Sequence, residues 1–190
     1  MRRAISAAAL ALLLFVPAAP YAQSVILVEV MASLASAKAS RASFVETKTS
    51  SLLNAPLVMR GTLEYRRPDF LAKHIVAPRD ERIVLSGGSL TVQSGSRTRK
   101  LEVSAAPLIG ALVEGMLAVR AGNLASLEKH FGVDVSGQRQ QWTLVLKPTG
   151  ELAGYVSAIT VSGLESRIVE LDVLEPNGDR AVMRIREEVE

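Results

Sequence analysis

The chain contains no cysteine, only 2 histidines, and 4% aromatic residues in a length of 190. Without cysteine there is no disulfide framework, no thiolate metal site and no sulfur nucleophile. The protein itself also cannot be lipidated on a cysteine after its leader. His74 and His130 stand far apart, with no partner at metal-ligand spacing, so both are expected to be structural or solvated and no metal is expected. Sparse aromatics leave no platform for stacking bases. The sequence pI of about 9.4 suggests a polyanion partner, but the balance is 22 basic to 19 acidic residues. Once Arg2 and Arg3 are assigned to a removable leader, the chain is almost neutral, and nucleic acid is set aside. No Gly-x-Ser-x-Gly elbow occurs, and Gly87-Gly88 is not followed by the Lys-Ser/Thr of a phosphate loop. No catalytic residues can be assembled, so the chain is expected to be neither an enzyme nor a cofactor protein.

What is present is apolar: 48% of residues, enough for a sizeable core. Residues 1–22 read as a signal peptide. Arg2 and Arg3 form a positive start, Ala4 to Val16 is a nearly unbroken apolar run, and Pro17 to Ala22 supplies small residues near a cleavage point. The run is too short for the about 20 residues that a helix needs to cross hydrocarbon. Residues 23–190 are then expected to be one exported, soluble domain.

Residues 25–39 place Leu27, Val30, Met31, Leu34 and Ala37 at helical spacing, with Ser24 as N-cap. From Ser43 the period becomes two. Strands are expected at 44–49, 58–66, 70–76, 83–85, 90–93 and 97–103, with Met59, Leu63 and Tyr65 on one face of the second. Helical period returns with Leu108, Ile109, Leu112, Val113, Met116 and Leu117, with Glu114 and Arg120 off that stripe. Pro107 opens this helix, Gly122 stops it, and Asn123 caps a short second one. Trp142, Leu144 and Leu146 then begin strands that continue at 155–161, 168–174 and 180–186. A meander of about 10–11 strands curls on itself. The helices either fill the resulting cup or cover it.

Ala42-Ser43-Phe44-Val45-Glu46-Thr47-Lys48 follows the first helix, and Gly61-Thr62-Leu63-Glu64-Tyr65-Arg66-Arg67-Pro68-Asp69-Phe70 comes next. With the Gly-turn hairpin, the helical insertion and the Trp-bearing strand ending at Lys147-Pro148, this order resembles the LolA-like periplasmic lipoprotein carriers, in a divergent LolA-related branch. The resemblance spans about residues 25–186. It implies an α+β fold, a half-open antiparallel β-barrel with helices covering an apolar cavity. It also implies an acylated lipoprotein or lipid as cargo, an inner-membrane exporter, an outer-membrane acceptor, and a monomer. The family's arginine before proline hydrogen-bonds the lid, and Arg67 holds that position. Cavity and lid are expected to use Met59, Leu63, Tyr65, Phe70, Leu108, Ile109, Leu112, Val113, Met116, Leu117, Trp142, Leu144 and Leu146.

Two departures separate this chain from the carriers. They have several aromatics after the Arg-Pro, where this chain has Phe70, Lys73 and His74. They also continue beyond the last hairpin with a further strand and loop. A different cargo and acceptor are therefore expected. A lipid-sensing regulatory module on the same half-barrel, and an accessory to acyl transfer, are the alternatives.

Overall fold

The computed structural model describes residues 19–37 and 39–188, with side chains from Val25 onward. Most of the expected signal peptide, residues 1–18, lies outside the described residues, and 19–22 already form helix. Helix α1 spans Ala19–Ser36, not 25–39. Pro20 is tolerated in a first turn, where its missing N–H has no intrahelical partner. Ser24 is therefore inside the helix and does not cap it. At the other end, Ala39 and Ser40 pair with Arg66 and Tyr65 of the next strand, and this ladder ends the helix early.

Strand β1 (Ala39–Thr49) is followed by β2 (Leu57–Arg66), β3 (Phe70–Ala77), β4 (Glu81–Ser86), β5 (Ser89–Ser94) and β6 (Arg97–Glu102). Helix α2 (Pro107–Ala121) and the four-residue α3 (Leu124–Leu127) interrupt the strands. Then come β7 (Phe131–Gln138), β8 (Gln141–Pro148), β9 (Ala158–Leu164), β10 (Arg167–Leu174) and β11 (Arg180–Glu187). The sequence reading omitted β7. Its Phe131, Val133 and Val135 do alternate, but Gly132 and Gly137 dilute the apolar signal. Residues 150–154 form a 3-10 turn, so β9 starts at Ala158 and leaves Tyr155 63% exposed.

Among the described residues, eleven strands form one antiparallel sheet in the order β6-β5-β4-β3-β2-β1-β11-β10-β9-β8-β7. Every pairing is between sequence neighbours except the central one. There β1 joins β11, with Phe44 opposite Ile185 and Glu46 opposite Met183. The sheet is not closed. Its two edges, β6 and β7, are joined through α2 and α3, so the helical insertion spans the opening of the half-barrel. Residues Pro107, Gly122 and Asn123 act as their types suggest. Pro107 opens α2, Gly122 takes a φ of 64° after its last residue, and Asn123 accepts the Ser126 N–H at the start of α3.

The core is lopsided. Val30, Met31 and Leu34 of α1, Ala118 and Val119 of α2, and Leu127 pack on Phe131, Val135, Trp142, Leu144, Leu146, Ile159 and Val161. This fills the cup over β7–β9. A smaller cluster of Phe44, Ile75 and Met183, with Met59, Leu63, Leu171 and Ile185 against it, covers the centre of the sheet. Burying one such side chain contributes roughly 1.5–3 kcal/mol. The helices thus both fill and cover: they pack solidly on one half of the cup and roof over the other. No helix among the described residues is long and apolar enough to cross a membrane.

Candidate functional site: an apolar cavity under α2

A cavity of about 440 Å³ lies between α2 and the concave face of the sheet. Its wall is drawn from α2 and from every described strand except β6. Residues alternating along each strand supply it, as Met183, Ile185 and Glu187 do on β11. The sheet floor adds Leu63, Leu71, Ile83, Leu85, Leu90, Ile168 and Leu171, all aliphatic.

Of the residues singled out in the sequence, Leu63, Tyr65, Leu112, Val113, Met116 and Leu146 line this cavity. Met116 is 50% exposed although it lines the cavity. Met59 packs in the central cluster beside Leu63 but is not part of the wall. Leu108 packs against the core, and Ile109 and Leu117 are half-buried outside the wall. Phe70 is also outside it, with the Arg66 guanidinium 3.9 Å from its ring centroid. Trp142 and Leu144 are placed differently from expectation. They are at most 1% exposed in the packed half of the core, and the Trp142 indole N–H donates to Glu165 O at 2.8 Å. Alternation assigns them to the concave face, but α1 and α2 close over that part of it.

Arg67 extends from the end of β2 to the C-terminal ends of both long helices. Its Nη2 donates to Ala35 O of α1 at 2.5 Å and to Ala121 O of α2 at 3.3 Å. Carbonyls in a last helical turn lack intrahelical donors and carry partial negative charge, and a guanidinium answers both. One side chain therefore ties the roof of the cavity to the sheet and to α1.

Arg120, which the sequence reading places off the apolar stripe of its helix, belongs to the cavity. It lies four residues after Met116 and eight after Leu112, so helical spacing alone places it on the cavity stripe. In the fold it is 8% exposed and lines the cavity. Its Nη2 donates to Ser40 Oγ at 2.9 Å, its Nη1 is 3.8 Å from Glu187 Oε1, and its Cζ is 4.9 Å from the Tyr65 ring centroid. Burial pushes the guanidinium below its ordinary range, with Glu187 opposing. Burial likewise raises the Glu187 carboxyl, with Arg120 opposing. The other charges in the wall are better matched. Glu46 receives a hydrogen bond from Lys73, and Glu64 is 3.2 Å from Arg66.

His74 and His130 each face one carboxylate, Asp80 and Glu114, at 2.9 Å. Among the described residues, no group of three or more potential metal ligands converges.

An open antiparallel sheet of eleven strands with helices over an apolar cavity defines an α+β half-barrel. Residues 18–183 match the family described as outer membrane lipoprotein carrier protein LolA-like, and the chain belongs to that family. The family is periplasmic, and its members bind or carry lipid or lipoprotein. Similar solved structures include a LolA superfamily protein of Nitrosomonas europaea, 11% identical with a TM-score of 0.44, over 88% of this chain and 94% of that one. A DUF1329 family protein of Desulfovibrio piger is 12% identical with a TM-score of 0.46, over 86% of this chain and 91% of that one. No curated protein matches the sequence.

Proposed function

We propose that this protein is a periplasmic carrier, exported by its leader, that takes acyl chains of a lipoprotein or lipid into the cavity under α2. It ferries them from an inner-membrane exporter toward an outer-membrane acceptor. The observation that supports this reading is the aliphatic cavity of about 440 Å³, left unfilled beside a core that is packed elsewhere. Such space costs stability in a protein that has no use for it. An acyl chain of sixteen carbons loses on the order of 10 kcal/mol in water, so crossing an aqueous space needs a container. The roof has the properties that loading requires. It is one helix joined to β6 through residues 103–106 and to β7 through α3, and Arg67 is its latch through Ala35 and Ala121.

The test is mass spectrometry of lipids extracted from mature protein purified from the native periplasm, with uptake of a neutral fluorescent acyl probe. Co-purified acyl species and saturable, stoichiometric probe binding are expected. Protein that carries no acyl species and takes up no probe would overturn the reading.

A further inference from the structure

We infer that the cavity accepts a cargo with an anionic end, a carboxylate or a phosphate, and that Arg120 and Tyr65 form its seat. The inference rests on the acyl-binding reading and adds the chemistry of the head group. A wall made for hydrocarbon alone has no use for a guanidinium buried in it. Arg120 is buried in that wall, yet its Nε and Nη1 have no hydrogen-bond partner among the described residues, and neither has the Tyr65 hydroxyl. None of the three atoms has surface open to a water-sized probe, and the two residues bearing them lie together in the cavity wall, so a ligand reaches these donors by a turn of the two side chains.

Unpartnered buried donors are costly, and native proteins seldom leave several side by side. The shortfall here consists of donors: two guanidinium nitrogens and one hydroxyl. The group that best completes them is rich in acceptors and negatively charged. Glu187 does not supply it. Its carboxylate lies 3.8 Å from Nη1, within ion-pair range but beyond a hydrogen bond. Ser40 satisfies only Nη2, at 2.9 Å. The remaining charged groups in the wall, Glu46, Lys73 and Glu64, are engaged with one another or with Arg66. An incoming carboxylate or phosphate would thus meet free donors only at the Arg120 end, with its chain lying along Leu63, Leu112 and Met183. Orientation follows: the anionic end sits beside the C-terminal end of α2, and the tail runs beneath its aliphatic face.

The experiment uses the mature chain and displacement of a neutral fluorescent acyl probe by palmitate, methyl palmitate and a palmitoyl lysophosphatidate. Palmitate or the lysophosphatidate is expected to bind about tenfold or more tighter than methyl palmitate, and the stronger of the two identifies carboxylate or phosphate as the source. Arg120→Met should bring the anionic ligand down to the affinity of methyl palmitate, and Tyr65→Phe should narrow the gap several-fold. If wild-type protein binds the anions and the neutral ester equally, the anionic seat is refuted while acyl binding stands. If no ligand displaces the probe and the probe itself does not bind, the acyl reading has failed first. The wild-type comparison and Tyr65→Phe decide the matter even if Arg120→Met does not fold.

Discussion

Gly122 and Met31 touch backbone to backbone: a Cβ on Gly122 would lie 2.0 Å from the Met31 carbonyl oxygen. The glycine that ends α2 is thus also the point where the roof helix meets α1. Its φ of 64° belongs to the left-handed region, which costs a side-chain-bearing residue roughly 1–2 kcal/mol. Gly88 has a φ of 76° but open space around its Cβ position, so Gly88→Ala isolates the backbone cost. Gly122→Ala should lower the melting temperature clearly more than Gly88→Ala, by about 4 °C or more against wild type. Equal losses in the two variants would show that the α1–α2 contact yields freely.

The latch role proposed for Arg67 can be separated from plain surface charge. Each of its exposed hydrogen bonds contributes about 0.5–1.5 kcal/mol. Arg67→Leu should therefore leave the fold intact, with a small drop in melting temperature and altered probe exchange or transfer to acceptor vesicles. Arg67→Lys keeps the charge without the planar fork and should fall between. Unchanged exchange and transfer in both variants would reduce Arg67 to a solvated strand-end charge.

Leu112 and Leu144 distinguish cavity from core. Leu144 is 0% exposed in the packed cluster, so Leu144→Ala should cost about 2–5 kcal/mol in denaturant unfolding. Leu112→Trp adds bulk where space exists. It should cost less than about 1 kcal/mol, below the usual penalty for overpacking a filled core, and should abolish probe uptake. A large loss of stability in Leu112→Trp with uptake retained would contradict the placement of the cavity.

Glu187 gives a pH signature. Burial raises its carboxyl above the ordinary 4.5, more than Arg120 lowers it. The folded state then binds the proton more tightly than the unfolded chain. That contribution is fully present below about 4.5 and is lost as pH rises through the folded value. Between about pH 4 and pH 7, wild type should lose stability relative to Glu187→Gln, which lacks this ionisation. Parallel melting-temperature profiles of the two proteins would show that Glu187 is not desolvated in solution.

The sequence by itself determined the local order. Alternation placed ten of the strands near their observed positions, and the Leu112, Val113 and Met116 stripe marked the roof. Pro107, Gly122 and Asn123 punctuated the helices because their backbone chemistry is local. The position of Arg67 before Pro68 was legible only through resemblance, since nothing in its spacing says that two helix ends will converge on it. Arg120 was legible in principle, being four residues beyond Met116, but its charge favoured a solvent-facing assignment. Only the tertiary structure decided which apolar faces become core and which become cavity. Trp142 and Leu144 have the same alternation as Leu63 and Met183, and periodicity cannot tell them apart. The difference arises where α1 and α2 come to rest, over β7–β9. That depends on contacts between segments far apart in sequence: β1 against β11, Gly122 against Met31, and Arg67 across Ala35 and Ala121.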